Sequence, residues 1–95
     1  MTLDQFTESL SQSQPPTGIN LILVALWHDA NGQWEPAHTI AQSHEGEQPY
    51  DRLHAYLHRK EGDRFNASYW YRRAGTPFFD RSLDDEWAAL AQVQL

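Results

Sequence analysis

Apolar positions recur along this chain with helical spacing, and turn residues separate the runs. Ile19 to about Ala30, INLILVALWHDA, is the most apolar segment. A short apolar run fits a strand or a helix; its length and the Asn31-Gly32 stop favour a helix. Being apolar nearly all round, that helix is expected to lie at the centre. A second helix follows from about Trp34 to Ser43, with Pro36 tolerated in the first turn and Ala37, Ile40 and Ala41 facing inward. Pro49 opens a longer helix over about residues 50–61, striped by Tyr50, Leu53 and Leu57 and ended by Gly62-Asp63. Asp63 caps the next, residues 64–74, where Ala67, Trp70, Tyr71 and Ala74 stand at i, i+3, i+4 and i+7 before Gly75-Thr76-Pro77. Ser82 caps the last helix, whose acidic first turn suits the positive end of the helix dipole and whose inner face is Leu83, Trp87, Leu90 and Ala91. At the other end, residues 2–13 read as a short helix with a Thr2–Gln5 capping box and with Leu3, Phe6 and Leu10 on one face, broken by Pro15-Pro16-Thr17-Gly18. The expected architecture is therefore all-α: antiparallel helical hairpins, about five helices, with an N-terminal arm and linker over 1–18 and one helical domain over 19–95.

Two helix pairs align at a spacing of 30 residues: Ala25 with Ala55, Gly32 with Gly62, Ala37 with Ala67. Small residues at the four alanine positions would let paired helices approach closely. Gly62-Asp63-x-x-x-Ala67, with its following aromatics and Ala74, resembles a tetratricopeptide unit. Trp70-Tyr71-Arg72-Arg73-Ala74 is similar to the Trp-Tyr-x-x-Ala of Sel1-type repeats. Those families stack antiparallel helix pairs and bind other proteins, so the resemblance implies an interaction module. The departures are a period of 30 rather than 34, Ala41 and His44 where the second unit has Tyr71 and Ala74, and two units where arrays usually need three. The combination HAYLHRKEGD…NASYWYRRAG is also similar, over about residues 22–90, to a group of small bacterial proteins of uncharacterised function. That resemblance supports the helical reading and brings no activity with it.

Composition sharpens this picture. The chain has 95 residues and no cysteine, which excludes disulfides, thiolate metal sites and a cysteine nucleophile. Its nineteen Leu, Ile, Val and Phe residues are few for a folded domain, and four Trp and four Tyr supply the missing apolar surface. The longest apolar run is far short of a membrane span, and the N-terminus carries no secretory pattern, so the cytoplasm is the expected location. Net charge is −6, which argues against nucleic acid as a partner. The charge is unevenly spread: residues 1–51 hold seven acids and no Lys or Arg, and all seven basic residues fall between Arg52 and Arg81. Either the basic part meets the acidic part inside the fold, or it forms a patch for an anionic ligand or an acidic partner.

Candidate chemistry gathers in the stretch from His54 to Gly75. His54 and His58 are four apart and Glu61 three further on, so all three share a helix face. Two histidines and a carboxylate can hold zinc or another divalent metal, and His28, His38 or His44 could add a ligand. No Glu follows His54, so the metalloprotease motif and its general base are missing. The same three residues read equally as structural: His54 half-buried beside the apolar stripe, His58 and Arg59 favoured by the helix C-terminus, Glu61 paired to Arg72 or Arg73. Tyr69, Arg72 and Arg73 lie off the apolar stripe and have the composition of a binding hot spot. The leading expectation is a protein or peptide interaction module with no catalytic residues and no cofactor. Its binding surface is the groove of helices 50–61 and 64–74, with His54, His58, Arg59, Glu61, Tyr69, Arg72 and Arg73 around it, and the partners it suits are an acidic protein or peptide, or a second copy of the chain. The alternative is a metal-dependent or anionic-ligand-binding enzyme using His54, His58 and Glu61.

Overall fold

Six α-helices and one short 3-10 turn make up the computed structural model, which describes residues 1–95. They are α1 (Leu3–Glu8), α2 (Leu21–Ala30), α3 (Trp34–Ser43), α4 (Gln48–Lys60), α5 (Arg64–Ala74) and α6 (Leu83–Gln94), with the 3-10 turn at Ser9–Ser11. The all-helical class is as expected, and the count exceeds the expected five. The N-terminal segment is a helix in its own right, closed by the Thr2–Gln5 capping box and anchored by Phe6, which is fully buried. Its more polar second half tightens into the 3-10 turn instead of continuing to residue 13.

α2 pairs with α3 and α4 with α5, and α3 packs against α4, so the two hairpins lie side by side. α6 closes the face made by α2 and α4, and α1 packs on α6. The main core joins Phe6, Leu23, Leu26, Trp27, Leu53, Tyr56 and Leu57 with the alanines of α3. Three of the four indoles lock elements together by donating to backbone carbonyls: Trp27 to Ser9, Trp34 to Leu57 and Trp87 to Leu26. Each satisfies its N–H while burying a large apolar body.

The positions that align at 30 residues have matching environments. Ala25, Ala37, Ala55 and Ala67 are all fully buried. Both hairpins turn on a glycine with positive φ, Gly32 at 75° and Gly62 at 87°. At each turn the glycine N–H donates three residues back, to Asp29 and Arg59, and the next N–H donates five back, to His28 and His58. This closes orphan helix carbonyls in a left-handed cap, where a Cβ would be strained. The second hairpin also carries its own small cluster, in which Phe78 and Phe79 from the connection to α6 pack against Ala55, Ala67, Trp70 and Tyr71.

Candidate functional site

Three histidines converge where α3, α4 and α5 meet. His38 comes from α3, and His54 and His58 from successive turns of α4. Their ring centroids form a nearly equilateral triangle with sides of 4.8, 4.9 and 5.1 Å. The Nε2 atoms of His38 and His54 face each other at 3.0 Å. Two tryptophans fix the rings from outside: Trp34 stacks on His38 at 4.5 Å, and Trp70 of α5 stacks on His54 at 3.9 Å. The Glu61 carboxylate holds His58 from behind, with Oε1 2.6 Å from Nδ1. The three histidines each place a nitrogen within 4.8 Å of the others, whereas Glu61 groups with His58 and Asp63.

Burial decides the protonation of this cluster. His54 is 2% exposed, and desolvation, then the neighbouring His38 and His58, hold its pKa down to about 3. Desolvation and His58 also lower His38, against the opposing pull of Glu35, Glu61 and Glu45. Both rings are therefore neutral at pH 7, and the contact between them is a hydrogen bond from one N–H to one lone pair. That bond leaves a defect, because His54 Nδ1 is buried without any partner. If His54 donates through Nε2, its Nδ1 lone pair is stranded. If His38 donates, the His54 proton sits on Nδ1 and finds no acceptor. Either way an unsatisfied buried polar atom costs about 1–3 kcal/mol.

The remaining expected site residues divide. Arg59 turns toward α6, where it binds Glu86 at 2.8 Å and the carbonyl of Arg81. Glu86 is fully buried and also accepts from Arg52 and from the Tyr71 hydroxyl, each at 2.5 Å. Burial first, and Glu86 second, raise the Tyr71 phenol well above its ordinary range, so it remains a donor. A second buried carboxylate, Asp29, accepts from the Tyr56 hydroxyl at 2.6 Å and pairs with Lys60 at 2.9 Å. The uneven charge is thus partly answered inside the fold, with basic residues of α4 meeting acids of α2 and α6. Arg72 joins none of the four ion pairs and is exposed. Arg73 donates to the Tyr69 hydroxyl and lies over Trp70 at 5.2 Å. Phe65, one turn before Tyr69 on the same helix, is 82% exposed.

Sequence reasoning placed His54 and His58 together but not His38, Trp34 or Trp70. Trp34 and His38 share an i, i+4 spacing that hints at a pair. Nothing local ties them to α4, because the contact is made by hairpin packing across 16 residues. His28 and His44 stay outside the cluster, the first against Gln33 and the second stacked on Tyr50. None of the four surface clefts is lined by a histidine. The nearest, about 520 Å³, runs past Asp29, Trp34, Glu35, Lys60 and Glu61. No protein-family model matches the sequence, and no curated protein or solved structure is significantly similar to it.

Proposed function

We propose that the chain is a cytoplasmic interaction module of the stacked-hairpin, tetratricopeptide- or Sel1-like kind, which takes an acidic protein or peptide segment along α5. The observation that carries this reading is the exposed Phe65 with Tyr69 and Arg72 following at i+4 and i+7 on one helix face. An aromatic anchor flanked by Tyr and Arg is the composition of interface hot spots. Arg72 has no carboxylate of its own chain to satisfy it, and Arg73 follows it, so the face is complementary to acidic side chains. An enzyme on His54, His58 and Glu61 has less support, since no cleft opens onto the histidines.

The test is to capture partners on the immobilised chain, purify a retained protein and titrate it against wild type, Phe65→Ala and Arg72→Glu. The expected loss is about 10-fold or more for each variant, because hot-spot truncation costs about 2 kcal/mol. Val93→Ala, exposed on α6, serves as control and should bind as wild type does. Retained proteins that bind wild type and both variants equally would sink the proposal. Self-association abolished by Phe65→Ala would make the partner a second copy, overturning the acidic-segment assignment.

A further inference from the structure

We infer that His38, His54 and His58 form a binding site for one zinc-class divalent transition metal ion, held between the two hairpins. The inference does not rest on the interaction reading and involves a different face of the molecule. Its ligand set also differs from the His54–His58–Glu61 triad that helix periodicity suggests, because Glu61 bonds the back of His58 and His38 takes the third place.

Geometry carries the argument. Three imidazole nitrogens within 4.8 Å of one another can converge on a single point. Tetrahedral zinc, with Zn–N distances of about 2.0–2.1 Å, sets neighbouring nitrogens ~3.3 Å apart. The 3.0 Å between His38 and His54 Nε2 is a few tenths short of that, so small ring movements admit the ion. With Nδ1 of His58 taken by Glu61, its free nitrogen is Nε2, the same atom the other two rings present. A carboxylate on the far nitrogen of a ligating histidine is the usual arrangement that fixes tautomer and raises basicity. Trp34 and Trp70 hold two of the rings in place before any ion arrives.

The hydrogen-bond pattern points the same way. A single His38–His54 bond uses one Nε2 lone pair, and His54 Nδ1 lacks a partner with or without an ion, since ligation through Nε2 puts the proton there. Coordination uses both facing lone pairs at once. The cluster therefore brings three ligand atoms together, and its one carboxylate, Glu61, lies on the far nitrogen of His58 rather than between the rings. Three imidazoles favour zinc, copper, nickel or cobalt over calcium or magnesium. They leave zinc a fourth position for water or a partner's side chain.

The experiment uses the full chain, stripped with chelator and desalted. Zinc is titrated by calorimetry, and cobalt is followed by its visible absorption and by tryptophan fluorescence. The expected result is one ion per chain with micromolar or tighter affinity, and a fluorescence change from Trp34 and Trp70. In histidine NMR spectra of the wild-type chain, zinc should shift His38, His54 and His58 together and leave His28 and His44 in place. This readout needs no variant and so survives any folding defect. His38→Gln should weaken binding by at least about 10-fold, and Glu61→Gln by about 10-fold, the usual range for removing an outer-shell partner. His28→Gln and His44→Gln should bind as wild type does. Absence of zinc binding at submillimolar metal would overturn the site. So would shifts confined to His28 or His44, or full affinity in a folded His38→Gln variant.

Discussion

His54 shows how one residue's surroundings set its chemistry. Its ring lies between Trp70 and the two other histidines, and this environment disfavours the charged imidazolium. The consequence for stability has a definite sign. Above pH 6.5 the ring is neutral in both folded and unfolded chains, and it contributes no pH dependence. Below that, the unfolded chain binds a proton that the folded His54 refuses down to about pH 3. Stability therefore falls on acidification across that window, by at most ~1.4 kcal/mol per pH unit from this group. His38, shifted in the same direction, adds to the effect. Urea unfolding with chelator present should show this decline, and His54→Phe should flatten it. A wild-type stability unchanged between pH 6.5 and 4 would contradict the burial argument.

At the scale of elements, α6 is held by more than its apolar stripe. Its Glu86 reaches down to α4 and α5, where Arg52, Arg59 and Tyr71 all donate to it. The two arginine side chains are mostly buried, 14% and 19% exposed, so removing the carboxylate leaves two poorly solvated cations facing each other. Glu86→Ala should cost about 3 kcal/mol, at the lower end for breaking a buried charge network because the arginines retain some contact with water. Glu86→Gln should cost less, since it keeps an acceptor for the Tyr71 hydroxyl. Chemical denaturation of the two variants separates these outcomes, and equal losses would mean that charge alone, rather than shape or the Tyr71 bond, holds the helix. The Phe78–Phe79 connection works with this clamp. Arg64 lies over Phe78 at 4.2 Å, and Arg52, Arg59 and Arg81 surround Phe79. Much of the basic excess is thus spent on aromatic and acidic neighbours within the chain.

At the scale of the whole molecule, the ends of the chain close one core. Phe6 of α1 stacks on Trp87 of α6 at 5.6 Å, and Trp87 in turn bonds the carbonyl of Leu26 in α2. A 95-residue chain buries only about 60–65% of its unfolded surface, so it has little stability in reserve. Phe6→Ala should therefore cost about 3–5 kcal/mol and bring the whole domain near its unfolding threshold. Thermal unfolding followed both by circular dichroism and by tryptophan fluorescence tests this. A small shift, or a transition confined to one probe, would mean that the N-terminal helix is dispensable to the core. The histidine cluster sits at another joint, where α3 of the first hairpin meets α4 of the second. Trp70 links that cluster to Arg73 and Tyr69 on the outer face of α5.

Helix existence and most helix ends follow from local chemistry, which a sequence carries in full. Asn31-Gly32, Gly62-Asp63 and Gly75 stop helices because a left-handed residue closes the last turn at each, and Thr2, Asp63 and Ser82 start them because their side chains accept a backbone N–H. The inner face of α5 was equally legible, since its burial follows the 3.6-residue period, whereas α4 is buried all round from Leu53 to Leu57 and not only along the expected Tyr50–Leu53–Leu57 stripe. Tertiary packing alone decided what lay between elements. His38 and His54 are separated by a turn and belong to different hairpins, so their meeting depends on how α3 lies against α4. The inward turn of Arg59 depends on the docking of α6, whose Glu86 looks in sequence like one of three solvent-facing acids in a first turn. Periodicity assigns a residue to a face; only the packed neighbour determines whether that face meets water, a carboxylate or another imidazole.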